Sequence, residues 1–240
     1  MPASTLAIVP ALNEETTVAS VVQAIRTELG ADVLVVDDGS ADQTAEKALA
    51  AGAQVARHPF NLGVGAALRT GFRYAEATGY PIAIQVDADG QHVAAEAYTL
   101  LDLVRSGEAD VALGSRFADG SGVYDVGRMR RFSMRVLSRI VSRRLGTRIT
   151  DTTSGFRAFG REAIERFAHA YPTAYLSDTV EALLLTKDWG LRVVEVPVAM
   201  RERMGGQASN NAAKSVYHLL RLTLVIGLHP LRRPQIRGSV

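Results

Sequence analysis

Ile82-Ala83-Ile84-Gln85-Val86-Asp87-Ala88-Asp89-Gly90-Gln91-His92 passes directly from an apolar run into an acidic turn. A run this short, rich in β-branched residues and closed by aspartate and glycine, predicts a buried strand with a polar loop at its carboxyl end. Leu6 to Val9, Val33 to Val36, Gln54 to Ala56 and Val111 to Leu113 have the same character. Helical periodicity fills the intervals near 15–29, 41–51, 64–78 and 94–106. This alternation predicts an α/β protein with a mostly parallel, doubly wound sheet flanked by helices. Such sheets bind ligands beyond the carboxyl ends of their strands, so the residues just after each strand should carry the chemistry.

Those ends are acidic. Pro10-Ala11-Leu12-Asn13-Glu14-Glu15 follows the first strand, Asp37-Asp38-Gly39-Ser40 the second, and Asp87 to His92 the fourth. A dinucleotide-binding domain would carry a glycine-rich turn after its first strand to admit a pyrophosphate; proline and glutamate stand here, which argues against a dehydrogenase. Asp87 and Asp89, two apart at a strand end, point to the same side and repel unless a cation lies between them. Hard oxygen ligands favour Mg²⁺ or Mn²⁺, which commonly bridges to substrate phosphates. A turn with helix-capping aspartates is the plainer alternative.

With 240 residues, 47% of them hydrophobic, the chain can bury a substantial core. Cysteine is absent, which excludes disulfides, thiolate metal sites and a cysteine nucleophile, and any metal must use oxygen or histidine. The formal charge is only +2, but arginines crowd between Arg128 and Arg148. Arg131, Arg135, Arg139 and Arg143 recur every four residues, while Met129, Phe132, Val136, Ile140 and Val141 fall elsewhere on the helix, as expected of an interfacial helix on a peripheral membrane surface; a charged helix packed on its own protein is the alternative. A nucleic-acid partner is not expected, because no nucleic-acid motif accompanies the arginines. Val216 to Leu228 is apolar around much of its circumference and too short to span a bilayer; it is expected to lie in the membrane interface or to form a homodimer. The N-terminus has no basic segment followed by an apolar run, so a cytoplasmic protein at the inner face of the membrane is expected.

IVPALNEE, VVDDGS, Asn61 to Ala67, QVDADGQH, LGSRF and DTTSGFRAF, in that order and spacing, resemble family 2 glycosyltransferases, particularly the polyprenyl-phosphate branch that includes dolichyl-phosphate-mannose synthases. The resemblance implies the Rossmann-like GT-A fold. A glycosyltransferase domain would span 1–210, with a nucleotide-binding half over 1–115 and an acceptor half over 116–210. A C-terminal helix and basic tail, interfacial or dimer-forming, would follow over 211–240.

The resemblance also implies a nucleotide-sugar donor carrying UDP or GDP. Pro10, Leu12 and Glu14 would line the nucleoside pocket, Glu14 accepting from ribose hydroxyls and Asp38 from the nucleobase. Asp87, Asp89 and Gln91 would surround the metal, with Ala88 against the donor and Asp89 also counted as catalytic. Arg116 would approach donor phosphate oxygens. Arg69, on the helix after the Asn61 glycines, is divided between phosphate binding and packing. Ser154 and Arg157 would contact the phosphate of a polyprenyl-phosphate acceptor, and Arg201 and Arg203 would belong to a loop closing over both phosphates. Asn210 stands where many relatives carry lysine; Gly90 and Val93 also depart from the branch pattern. Asp178 occupies the position of a general base in relatives that glycosylate hydroxyls, and a phosphate acceptor, already anionic, needs none. Two alternatives stand beside lipid-phosphate transfer: a hydroxyl acceptor with Asp178 as base, and a non-catalytic nucleotide- or phospholipid-binding module.

Overall fold

The computed structural model describes residues 4–118, 128–173 and 178–199, with the side chains of 128–134 excepted. Strands β1 (Thr5–Ala11), β2 (Asp32–Asp37), β3 (Gln54–Arg57) and β4 (Ile82–Gln85) alternate with helices α1 (Val18–Ala24), α2 (Thr44–Ala50) and α3 (Val64–Thr78). A π-helical turn, Ile25–Leu29, extends α1. Then come α4 (Ala97–Arg105), β5 (Val111–Ser115), α5 (Arg128–Leu145), β6 (Arg157–Gly160), α6 (Arg161–Ala170), α7 (Asp178–Asp188) and β7 (Val193–Pro197).

The strands form one sheet in the order β3-β2-β1-β4-β6-β5-β7. The expected α/β class with a mostly parallel sheet is what forms. β6 is the exception, running antiparallel to both β4 and β5. It comes from the expected acceptor half yet sits between two strands of the nucleotide half, so the two halves share one sheet.

Each central strand feeds two cores because successive side chains leave opposite faces. Leu6 and Ile8 join Leu34, Val36, Phe72, Phe159 and Phe167 beneath α3, α5, α6 and α7. Ala7 and Val9 join Val33, Val35, Val22 and Leu100 beneath α1 and α4. Burial on both faces is why these strands read as unbroken apolar runs. Pro10 is tolerated inside β1 because the pairing with β4 ends at Ile8, so no partner there needs its missing N–H.

The second half of α5 packs on the protein itself. Leu137, Val141 and Leu145 are buried in the first core, and the Ser142 hydroxyl bonds both the amide and the carbonyl of Ile149. Arg135, Arg139, Arg143 and Arg144 lie exposed on the other side. Of the expected apolar face, Val141 is buried and Val136 exposed. The segment 216–228 lies outside the described residues. No helix among the described residues is long and apolar enough to cross a membrane.

Candidate active site

The loops after β1 and β2 lock into one another. Asn13 adopts a left-handed φ of 55°, accepts the Ala41 amide on Oδ1 at 2.9 Å, and donates its own amide to Ser40 Oγ at 2.9 Å. Glu14 is buried; its amide donates to Thr44 Oγ1, and Thr17 Oγ1 donates to its Oε2 at 3.0 Å. Leu12 is exposed on the rim. The Asp38 carboxylate is buried and accepts the Leu62 and Gly63 amides at 3.0 and 2.7 Å, closing the turn that starts α3. His58 bridges Asp38 at 2.7 Å and Thr70 Oγ1 at 2.9 Å, tying that turn to α3. A cavity of about 380 Å³ lined by Gly39, Ser40, Arg57, His58 and Pro59 lies alongside.

After β4, Asp87 and Asp89 stand on either side of Ala88, which is buried. Asp87 is half-exposed and accepts from Gln85 Nε2 at 3.4 Å; its amide donates to His92 Nδ1 at 3.0 Å. The His92 ring, its side chain almost fully buried, stacks on Phe156 at 4.6 Å. Asp89 Oδ1 accepts the Gln91 amide at 3.1 Å. No cluster of three or more histidine, aspartate or glutamate side chains around a common point occurs among the described residues. The donor set still fits a divalent ion: two hard carboxylates and an amide oxygen leave coordination positions for diphosphate and water, the usual arrangement for Mg²⁺.

Gly155 passes so close that a Cβ there would lie 2.8 Å from Asp87 Oδ1 and 2.8 Å from Gln85 Nε2. The segment from Thr150 to Arg157 thus packs on the acidic turn. It is anchored from behind by Glu195 of β7, which accepts the amides of Thr150 and Asp151 and the Thr150 hydroxyl.

Several expected phosphate donors are placed differently. Arg157 is only 1% exposed and donates to the carbonyls of Ser154, Thr179 and Thr152. It is an internal cation fastening this segment to α7, and not a side chain presented to a phosphate. Ser154 is buried as well, its hydroxyl accepting the Phe156 amide at 3.2 Å. Arg116 makes a forked pair with the buried Asp151, at 2.7 and 3.2 Å. Arg69 donates to the His169 carbonyl at the end of α6, a packing contact. Arg201 and Arg203 lie outside the described residues.

Asp178 opens α7 beside this cluster. Burial pushes its carboxyl up to about 6, Asp87 adds to the rise, and Arg157 and the Thr179 amide work against it. The site therefore brings together Asp87, Asp178, and Gly155 with Arg157, from three separate stretches of chain. His58, His92, Asp151, Tyr171 and Glu195 were not anticipated. Two of them had a signal: His92 from its place at the end of the acidic turn, and Asp151 as the first residue of DTTSGFRAF.

The profile that describes Glycosyl transferase family 2 matches residues 6–167. The chain belongs to this family. Among its relatives, the polyprenol monophosphomannose synthase of Mycolicibacterium smegmatis is 35% identical, the match covering 83% of this chain and 78% of that one. The undecaprenyl-phosphate mannosyltransferase of Micrococcus luteus is 30% identical, over 85% and 86%. The resemblance to the polyprenyl-phosphate branch is thereby upheld. Glucosyl-3-phosphoglycerate synthase of Mycobacterium tuberculosis superposes with a TM-score of 0.71 over 98% of this glycosyltransferase and 83% of that chain, at 22% identity, which shows the GT-A fold.

Proposed function

We propose that this glycosyltransferase moves a sugar from a UDP- or GDP-sugar to a polyprenyl phosphate at a membrane surface, with inversion at the anomeric carbon. The observation that carries the acceptor is the similarity, over about four-fifths of the chain, to relatives named for polyprenol and undecaprenyl phosphate. Asp87, Asp89 and Gln91 are the residues that would hold Mg²⁺ or Mn²⁺; a structure of glucosyl-3-phosphoglycerate synthase is described as a complex with Mn²⁺ and UDP. A divalent ion there would offset the charge on the departing nucleoside diphosphate.

The chain's own residues do the remaining work. Glu14 and the remaining lone pair of Asp38 Oδ2 would accept from ribose and nucleobase, with Pro10 and Leu12 walling the nucleoside. Ala88 would lie against the donor. Arg116, oriented by Asp151, would approach phosphate oxygen of the donor, joined by Arg201 and Arg203. An acceptor phosphate oxygen attacks the anomeric carbon from the face opposite the leaving group, and the bond from that carbon to the diphosphate breaks as the new one forms. The exposed arginines of α5 would hold the enzyme on the anionic inner face of a membrane.

A second reading is favoured by one observation: Asp178 is buried near Asp87 with its carboxyl raised to about 6, the setting of a general base for a hydroxyl acceptor. The deciding experiment is sugar transfer from a panel of UDP- and GDP-sugars to short-chain polyprenyl phosphate, with and without Mn²⁺ or Mg²⁺, alongside Asp89→Ala. Metal-dependent lipid product that disappears in the variant is expected. Product with hydroxyl acceptors alone would replace the lipid-phosphate assignment. Nucleotide binding without consumption of any donor would leave a binding module.

A further inference from the structure

Among the described residues, four side-chain polar atoms are buried without a hydrogen-bonding partner: Asp37 Oδ2, Arg69 Nε, Tyr171 Oη and Asp178 Oδ2. The first two have other compensation. Asp37 Oδ2 lies 3.1 Å from Arg57 Nε, and Arg69 donates through Nη2. The remaining two are complementary, a hydroxyl donor and a carboxylate acceptor, and they sit in one cluster. The Tyr171 hydroxyl is within electrostatic reach of Asp178, Arg157 and Asp87.

Leaving a buried donor and a buried acceptor both unmatched costs about 1–3 kcal/mol each, so a use is expected. The tyrosine is also held firmly. Its ring packs on Phe72 and Phe167 at 5.4 and 5.2 Å, and its amide donates to the Phe167 carbonyl. The next residue, Pro172, lies against Gly65 of α3 so tightly that a methyl group there would collide with its carbonyl. A hydroxyl on so fixed a ring is a reference point for a carboxylate that begins a helix.

We propose that Tyr171 is a positioning residue, whose hydroxyl donates to Asp178 Oδ2 when substrates occupy the site and so sets the orientation of that carboxylate beside Asp87. This rests on the second reading above, a hydroxyl acceptor with Asp178 as its base. Because the hydroxyl has no partner in the fold, a purely structural tyrosine makes Tyr171→Phe neutral or mildly stabilising. A positioning tyrosine makes it catalytically impaired while equally stable.

The test compares full-length wild type, Tyr171→Phe, Asp178→Asn and the double variant for sugar transfer and thermal melting. Tyr171→Phe is expected to lower kcat about tenfold, the scale of a misaligned acid–base group. The KM for nucleotide-sugar and the melting temperature should hold. The double variant should be no slower than Asp178→Asn alone, since residues acting through one group are not additive. Wild-type kcat in Tyr171→Phe, or losses that multiply in the double variant, overturns the proposal. A fully active Asp178→Asn removes the group through which Tyr171 acts, a different failure read from the same plate. A wild-type enzyme that transfers to no acceptor takes away the underlying function and this role with it.

Discussion

At the scale of single residues, Asp178 and Gly155 make the sharpest predictions. A carboxyl raised from 3.8 to about 6 disfavours the charged form in the fold, so it lowers stability fully above that folded value and relieves the protein as pH falls toward 4. Asp178→Asn is therefore expected to raise stability at pH 7.5, by up to about 3 kcal/mol, with the gain shrinking to nothing near pH 4. Urea titrations at the two pH values check the sign. If a hydroxyl is the acceptor, the same variant abolishes turnover, and wild-type activity climbs as pH passes through about 6. Gly155→Ala tests the packing of the acceptor segment on the acidic turn. A methyl group 2.8 Å from Asp87 Oδ1 must displace that carboxylate, so transfer should fall at least tenfold while nucleoside affinity without metal is retained, as calorimetry would show.

At the scale of elements, arginines on α3 finish a helix formed about a hundred residues later in the chain. Arg73 Nε donates to the Ala168 carbonyl and Arg69 Nη2 to that of His169, supplying donors to the last turn of α6. Arg73→Ala should cost about 1–2 kcal/mol in urea unfolding with nucleotide affinity unchanged. Contacts of this kind explain what could be read in the sequence and what could not. β1, β2 and β4 were legible because burial on both faces writes an unbroken apolar run. Their acidic ends were legible because a carboxylate pair at a strand end has few uses. β6 was not, being four residues long and starting on an arginine. The apolar stripe of α5 was legible as amphipathic, but Leu137 and Val141 face the protein's own core, and periodicity does not name the surface a helix meets. Arg157 fails for the same reason: a guanidinium suits a phosphate, a carbonyl or a carboxylate, and only the fold decides which partner arrives first.

At the scale of the molecule, the exposed arginines on α5 lie opposite its buried stripe. Replacing Arg139 and Arg143 with glutamate should weaken cosedimentation with phosphatidylserine-containing vesicles roughly tenfold or more, at about 1 kcal/mol per arginine, with melting unchanged. Binding that persists undiminished would move the membrane contact elsewhere on the enzyme. The sheet order carries a consequence for biosynthesis. When translation has delivered β1 through β5, β4 and β5 still share no hydrogen bonds, because the place between them belongs to Arg157–Gly160. Until that short strand leaves the ribosome, the nascent chain holds a half-built sheet with an open edge at β4, a template for pairing with neighbours on the same polysome. The strand that joins the two halves of the site is also the one whose late arrival sets how long that edge stays open.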